Sequence, residues 1–305
     1  MIGKGVPVLV DLVCTRTSDG VLLHGALAGP PSAAGALLGI HGAWGNFYGT
    51  PVARFLRDAP NRGLAALSIN GRGHDLGSLG DGERCIGFLR DRFEDAPLDL
   101  QAAADLLAER GLHPFVAVAH SYGTHRATYW QAGEHASRAA ALVLLSPAPE
   151  LQAAADVFVD GAVEHHLARA AAAVAAGHPE QLIVLSSSAP VPMVAAAATV
   201  LSTWGPDTLA DSRLHVGSLP MPVLVVSGSH EPAPYRERAE EVADGAPDGE
   251  LVVLDDDHYY RRDPDALTET VLAWLDRRRV FDTGSTGVAV AGSERTAAKG
   301  DNDAI

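Results

Sequence analysis

Val116-Ala117-Val118-Ala119-His120-Ser121-Tyr122-Gly123-Thr124-His125-Arg126-Ala127-Thr128-Tyr129-Trp130 is the stretch on which the reading of this chain turns. Phe115 to Ala119 is a continuous apolar run with the length and composition of a buried parallel strand. Thr124 to Gln131 holds no Gly or Pro and predicts a helix. The turn between them, Ala119-His120-Ser121-Tyr122-Gly123, stands one residue from Gly-x-Ser-x-Gly, a strand–turn–helix pattern that lifts a serine Oγ clear of the backbone. Such a turn holds its Ser at a strained φ/ψ and needs small residues two before and two after it, so that strand and helix approach closely. Ala119 adds only a methyl to the first of these. A five-residue match also fits an ordinary strand–helix turn, and the flanking chain has to decide.

Outward from the turn, strands and helices alternate. Upstream, Asp99–Arg110 reads as a helix stopped by Gly111, and Leu64–Ile69 as a strand with Asn70-Gly71-Arg72-Gly73-His74-Asp75 as its loop. Thr50–Arg62 predicts a helix with Pro51 in its first turn. Ala36–Ile40 predicts a strand that runs into His41-Gly42-Ala43-Trp44-Gly45-Asn46. Residues 76–96, Gly-rich and charged, read as a long surface connection, and Val8–Arg16 with Val21–Ala28 as an antiparallel pair. Downstream, Ala140–Leu145 is a strand. Residues 149–215 are Ala-rich and helical in pattern, broken near His178-Pro179 and at Ser186–Pro192, and read as an inserted helical cap. Pro222–Val226, Tyr235–Ala243, Glu250–Leu254 and an amphipathic helix from Asp263-Pro264 then resume the alternation.

This order predicts an α/β fold, a mostly parallel central sheet with helices on both faces and the cap inserted. Residues 1–148 and 216–280 form the two parts of the core, 149–215 the cap, and 281–305 a tail expected to be disordered. Ligands of such sheets bind at the carboxyl ends of the strands, where every polar loop named above falls.

Composition narrows the function. Hydrophobic residues make up 47% of the 305 and charged residues 20%, enough apolar surface for a sizeable core. The net charge of −15 and the absence of a basic cluster longer than Arg277-Arg278-Arg279 argue against nucleic acid as a partner. No apolar run is long enough for a membrane span, and the longest in the cap is Val194 to Leu201. Cys14 and Cys85 make no disulfide framework and suit a reducing compartment; the expected location is cytoplasmic. No Cys-x-x-Cys or His-Glu-x-x-His occurs, so no metal and no cofactor is expected. His165 and His166 lie side by side on a helical stretch and diverge, which reads as a solvated face.

Ser121, Glu231 and His258 follow one another in the nucleophile–acid–histidine order of the α/β hydrolases, and the chain resembles that superfamily from about residue 8 to 280. The resemblance rests on His41-Gly42 after the third strand, the serine turn after the fifth, the cap after the sixth, Gly228-Ser229-His230-Glu231 after the seventh and His258 after the eighth. More narrowly, His41-Gly42 with Gly45-Asn46-Phe47-Tyr48, the Asn70–Asp75 loop and Trp204-Gly205-Pro206 resemble a bacterial subgroup related to fungal siderophore esterases. Two departures stand out: Ala119 where that turn usually has Gly, and Glu231 where the acid is usually Asp.

The resemblance implies a serine hydrolase acting on an ester, thioester or lactone of a partly apolar small molecule through an acyl-enzyme. A serine hydroxyl needs a base to take its proton, and His258, directly after a strand end, suits that role better than His120 or His125, which read as structural. Glu231 is the expected partner of His258, with Glu150, after the sixth strand, as the rival; Asp255 to Asp257 read as a solvated acidic turn. Oxyanion donors are expected from the backbone N–H of Tyr122 and of Ala43, with Trp44 as the fallback. Trp44, Phe47 and Tyr48 either line the substrate pocket or pack beneath the cap; Arg72 and His74 read as loop braces. The competing reading keeps the fold without hydrolysis: a cyclase or lyase using His258 as acid/base, or a small-molecule-binding protein. Oligomeric state leaves no trace in the sequence.

Overall fold

The computed structural model describes residues 8–79, 85–134, 136–150, 153, 159–187 and 193–282. Among these residues the strands are β1 (Asp11–Arg16), β2 (Leu22–Ala28), β3 (Ala36–Ile40), β4 (Ala65–Ile69), β5 (Phe115–His120), β6 (Ala141–Leu145), β7 (Leu182–Ser186), β8 (Met193–Ala196), β9 (Val223–Gly228) and β10 (Gly249–Leu254). Eight of them form one sheet in the order β1-β2-β4-β3-β5-β6-β9-β10. The β1–β2 and β2–β4 pairs are antiparallel and the others parallel. Every residue of β3, β4, β5, β6 and β9 is buried, which is why these segments read as continuous apolar runs rather than alternating ones.

Helices cover both faces. On one side α2 (Ala96–Glu109), α3 (Tyr122–Ala132) and α7 (Ala233–Gly245) bring Leu100, Leu107, Trp130 and Val242 against Leu38, Ala117 and Val225. On the other, α1 (Phe55–Asp58) and α8 (Pro264–Arg277) bring Phe55, Val271, Trp274 and Leu275 against Leu37, Val116, Val118 and Val226. Asp263 starts α8 by accepting the Ala266 N–H at 3.2 Å, with Pro264 in the first turn. No helix of the described residues is long and apolar enough to cross a membrane.

Three readings need correction. Thr50–Arg62 is not one helix: Pro60 cannot donate to the helical ladder, and the segment breaks into 3-10 turns on either side of α1. Residues 76–96 are more than a surface connection, because Phe88 and Phe93, each on a 3-10 turn, are fully buried. Both pack on Tyr122 and into the segment that follows β6, and each contributes roughly 1.5–3 kcal/mol through burial. That segment is not helical throughout. Between α4 (Val163–Ala175) and α5 (Ala197–Trp204) it carries β7 and β8, an antiparallel pair, before the short α6 (Arg213–Val216). Its β-branched Ile183, Val184 and Val194 alternate across the pair in a way the surrounding alanines obscure in the sequence. The tail assigned to 281–305 lies, from residue 283 on, outside the described residues.

Candidate active site

The turn after β5 carries the site. Ser121 caps α3 with φ +55° and ψ −125°, a conformation that strains any residue with a Cβ. Two neighbours make room for it. A Cβ on Gly123 would lie 2.5 Å from the His41 carbonyl oxygen, so only glycine lets α3 start this close to β3. Ala119, by contrast, packs its methyl fully buried inside the sheet, so its substitution for glycine is accommodated. The Ser121 N–H is held by the Leu145 carbonyl at 2.8 Å.

Strand ends bring the other groups to the serine. After β10, His258 points Nε2 at Ser121 Oγ, 3.1 Å away, and Nδ1 at Glu231 Oε1, 2.6 Å away. Glu231 follows β9, and its second oxygen accepts the Gly228 N–H and the Ser227 hydroxyl, both at 2.9 Å. Burial pushes the Glu231 carboxyl up, but its bond to His258 and these two donors outweigh that and hold it below the ordinary carboxylate range. A carboxylate on Nδ1–H leaves Nε2 as an acceptor, the tautomer that can take a hydroxyl proton.

Glu150, the rival acid, goes elsewhere. It is ion-paired with Arg213 and, at 2.6 Å, with the buried Arg238. The acidic turn is only partly solvated: Asp256 is buried and accepts the Asp257, Arg262 and Asp263 N–H groups at 2.8–2.9 Å. None of its three carboxylates bonds the His258 ring; instead they shape the loop that presents it.

The loop after β3 meets Ser121 from the other side. Gly42 touches it so closely that a Cβ there would stand 3.0 Å from Ser121 Cβ. The His41 ring braces this loop, donating from Nδ1 to the Gly42 carbonyl at 2.8 Å and accepting the Gly71 N–H at 3.1 Å. Desolvation, helped by the charge of Arg126, pulls its pKa down to about 3, so it braces as a neutral ring. Ala43 and Tyr122 both border the cavity beside Ser121. The N–H groups of Ala43 and of Tyr122, the first residue of α3, have no acceptor among the described residues.

The cavity is about 640 Å³ and lies between the sheet and the segment after β6. Trp44, Tyr122, Leu167, Met193, Leu201 and Trp204 give it apolar walls. Of the three aromatics expected here, only Trp44 lines it. Phe47 packs into the core beneath the sheet, its backbone pinned by Asn70 and Ser68, and Tyr48 is 67% exposed beside Arg54 and Tyr259. Arg72 braces its loop as expected, bonding Asp99 at 2.8 Å and Asp19 and Asp95 at 3.0–3.1 Å. His74 pairs with Asp75 at 2.9 Å. His166 is buried and donates to the Asp160 carbonyl at 2.8 Å, unlike the solvated residue expected.

Six further residues border the site. His120 braces the loop after β10: its Nε2–H holds the His258 carbonyl at 2.8 Å, and the two rings lie 4.8 Å apart. Tyr235 sets its ring edge-on 4.8 Å from His258. His125 lines the cavity one turn after Ser121. Val163, Leu167 and Ala171 of α4 also line it, and their four-residue spacing was the available signal.

A sequence profile of the alpha/beta hydrolase family matches residues 21–270, most of the chain. The chain belongs to the alpha/beta hydrolase family. No curated relative matches it in sequence. Its fold is similar to several solved structures of low sequence identity. Est1E from Butyrivibrio proteoclasticus is 18% identical with a TM-score of 0.64, over 88% of this chain and 98% of that one. The esterase domain of a Rhodothermus marinus protein is 16% identical with a TM-score of 0.60, over 88% and 98%. A Pyrococcus furiosus esterase is 16% identical with a TM-score of 0.57, over 91% and 96%.

Proposed function

We propose that this alpha/beta hydrolase is a serine esterase-like enzyme that cleaves a carboxylic ester, thioester or lactone of a partly apolar small molecule through an acyl-enzyme. The observation that carries the reading is the hydrogen-bonded chain Ser121–His258–Glu231, with its two short contacts, at the edge of a largely apolar cavity. The esterases among the structural neighbours and the family match support the same chemistry.

In this mechanism His258 Nε2 takes the Ser121 proton as Oγ attacks the acyl carbon, and Glu231 steadies the imidazolium that forms. The N–H groups of Ala43 and Tyr122 receive the oxyanion, each worth about 3 kcal/mol of barrier. His258 then hands its proton to the leaving oxygen or sulfur. Water, deprotonated by the same nitrogen, releases the acid and restores Ser121. The segment 149–215 acts as the cap that closes over the acyl group. Cys14 and Cys85 are both free and exposed, which suits work in a reducing cytoplasm.

A fluorophosphonate added to the folded protein should raise its intact mass by one adduct on Ser121. Ser121→Ala should remove both the adduct and the hydrolysis of p-nitrophenyl butyrate while leaving the melting temperature within a degree or two. An unlabelled, folded wild-type protein would end the acyl-enzyme reading and favour a cyclase, a lyase or a binding protein.

A further inference from the structure

His125 is a buried, chemically able side chain that the hydrolytic mechanism leaves unused. It stands four residues beyond Ser121, in the first turn of α3, on the wall of the same cavity. Its Nδ1 accepts the Ser212 N–H at 3.0 Å and meets the Ser212 hydroxyl at 2.8 Å. An acceptor at Nδ1 puts the ring proton on Nε2. Desolvation, with the charges of Arg238 and Arg213 nearby, pulls the ring's pKa down to about 3, which keeps that tautomer neutral. Nε2 has no protein partner among the described residues, and it is not one of their sealed, unpartnered polar atoms. Its N–H therefore opens on the cavity.

The rest of the wall says what kind of group enters. The charged side chains on it are Glu150, Glu164 and Asp211; no Arg or Lys is among its described lining residues. Arg213 and Arg238 behind it are already taken up by Glu150, Asp211 and Glu241. An acyl chain ending in a carboxylate or phosphate would lose its hydration there without gaining a cation.

We propose that His125 is a specificity residue whose Nε2–H receives a neutral acceptor oxygen carried a few bonds along the acyl chain, so that the substrates are esters of apolar acids bearing an ether, keto or hydroxyl oxygen. This rests on the hydrolytic reading of the cavity. The donor is preorganised: Ser212 fixes the ring, and no rotamer has to be ordered when the oxygen arrives. An all-carbon chain leaves the N–H unpaired, and the cavity discriminates against it.

The test walks one oxygen along the chain. p-Nitrophenyl methoxyacetate, 3-methoxypropanoate and 4-methoxybutanoate are compared with butyrate, pentanoate and hexanoate, their isosteres with CH2 in place of oxygen. The ether-to-alkyl ratio of kcat/KM should peak at one position in the wild type. His125→Asn keeps an acceptor for the Ser212 N–H but cannot reach the cavity, and should lower that peak about tenfold. His125→Gln, whose amide NH2 reaches the place of Nε2, should restore most of it. The ratio cancels a general loss of activity or fold. Esters turned over with a flat ratio, unchanged in His125→Asn, overturn the assignment and leave the hydrolase standing. Calorimetric binding of the matched N-methylamides separates the two ideas: an ether preference there, lost in His125→Asn, upholds His125 even if no ester is cleaved. Equal binding of the paired amides overturns it.

Discussion

Replacing Glu231 by Gln probes the site where its geometry is most exacting. Glu231 Oε2 accepts the Gly228 N–H and the Ser227 hydroxyl, and Oε1 accepts His258 Nδ1–H. Glutamine has only one acceptor oxygen. Two donors compete for it on the strand side, so the amide oxygen settles against Gly228 and Ser227 and its NH2 turns toward His258. Nδ1 must then accept, the ring proton moves to Nε2, and Nε2 can no longer take the Ser121 proton. The lost tautomer and the lost charge opposite imidazolium together should lower kcat by about 10⁴-fold, roughly 5 kcal/mol of barrier. Stability should change little, since the amide keeps the bonds to Gly228 and Ser227. Glu150→Gln is the control. That carboxylate is 38% exposed and pairs with Arg213 and Arg238, which retain Asp211 and Glu241. Its loss should cost activity less than about fivefold, because it leaves the hydrogen-bonded chain from Ser121 to Glu231 intact. The assay is kcat and KM on p-nitrophenyl butyrate with melting temperatures for all three proteins. Glu231→Gln within tenfold of wild type, or Glu150→Gln the more damaging, would refute the assignment.

Two further perturbations address the scaffold. Arg72→Met leaves Asp99, with a side chain only 3% exposed, buried without its cation, and should cost about 3–5 kcal/mol in urea unfolding; an effect under about 1 kcal/mol would show that solvent reaches the pair. His125 stays neutral when folded, with a pKa of about 3, while the unfolded ring titrates near ~6.5, so between these values the unfolded chain binds the extra proton and stability falls as pH falls. Removing that proton in His125→Asn should flatten the dependence of unfolding free energy on pH by about 1.4 kcal/mol per unit between pH ~6 and ~4; parallel curves for the two proteins would show that the folded ring protonates freely.

Much of this protein is local and therefore legible in its sequence. Central strands buried on both faces have to be apolar at every position, so Ala36–Ile40 could be read to the residue. The turn at Ser121 is written in short-range sterics: a strained serine, and a glycine at 123 that the His41 carbonyl leaves no room to replace. Chain order then singled out Glu231 and His258, because in a parallel sheet every strand delivers its following loop to the same edge. What the order of residues left open was decided by long-range partners. Glu150 and Glu231 are equally acidic in sequence. One meets Arg213 and Arg238, while the other meets an imidazole and two donors. Phe88 and Phe93 sit in a Gly-rich, charged stretch and are buried only because Tyr122 and the segment after β6 close over them. His125 looks like any helical histidine until Ser212, 87 positions away, captures one ring nitrogen and the cavity exposes the other. Backbone propensity and strand burial act over a few residues, whereas the protonation and pairing of a side chain depend on whatever the finished fold packs against it.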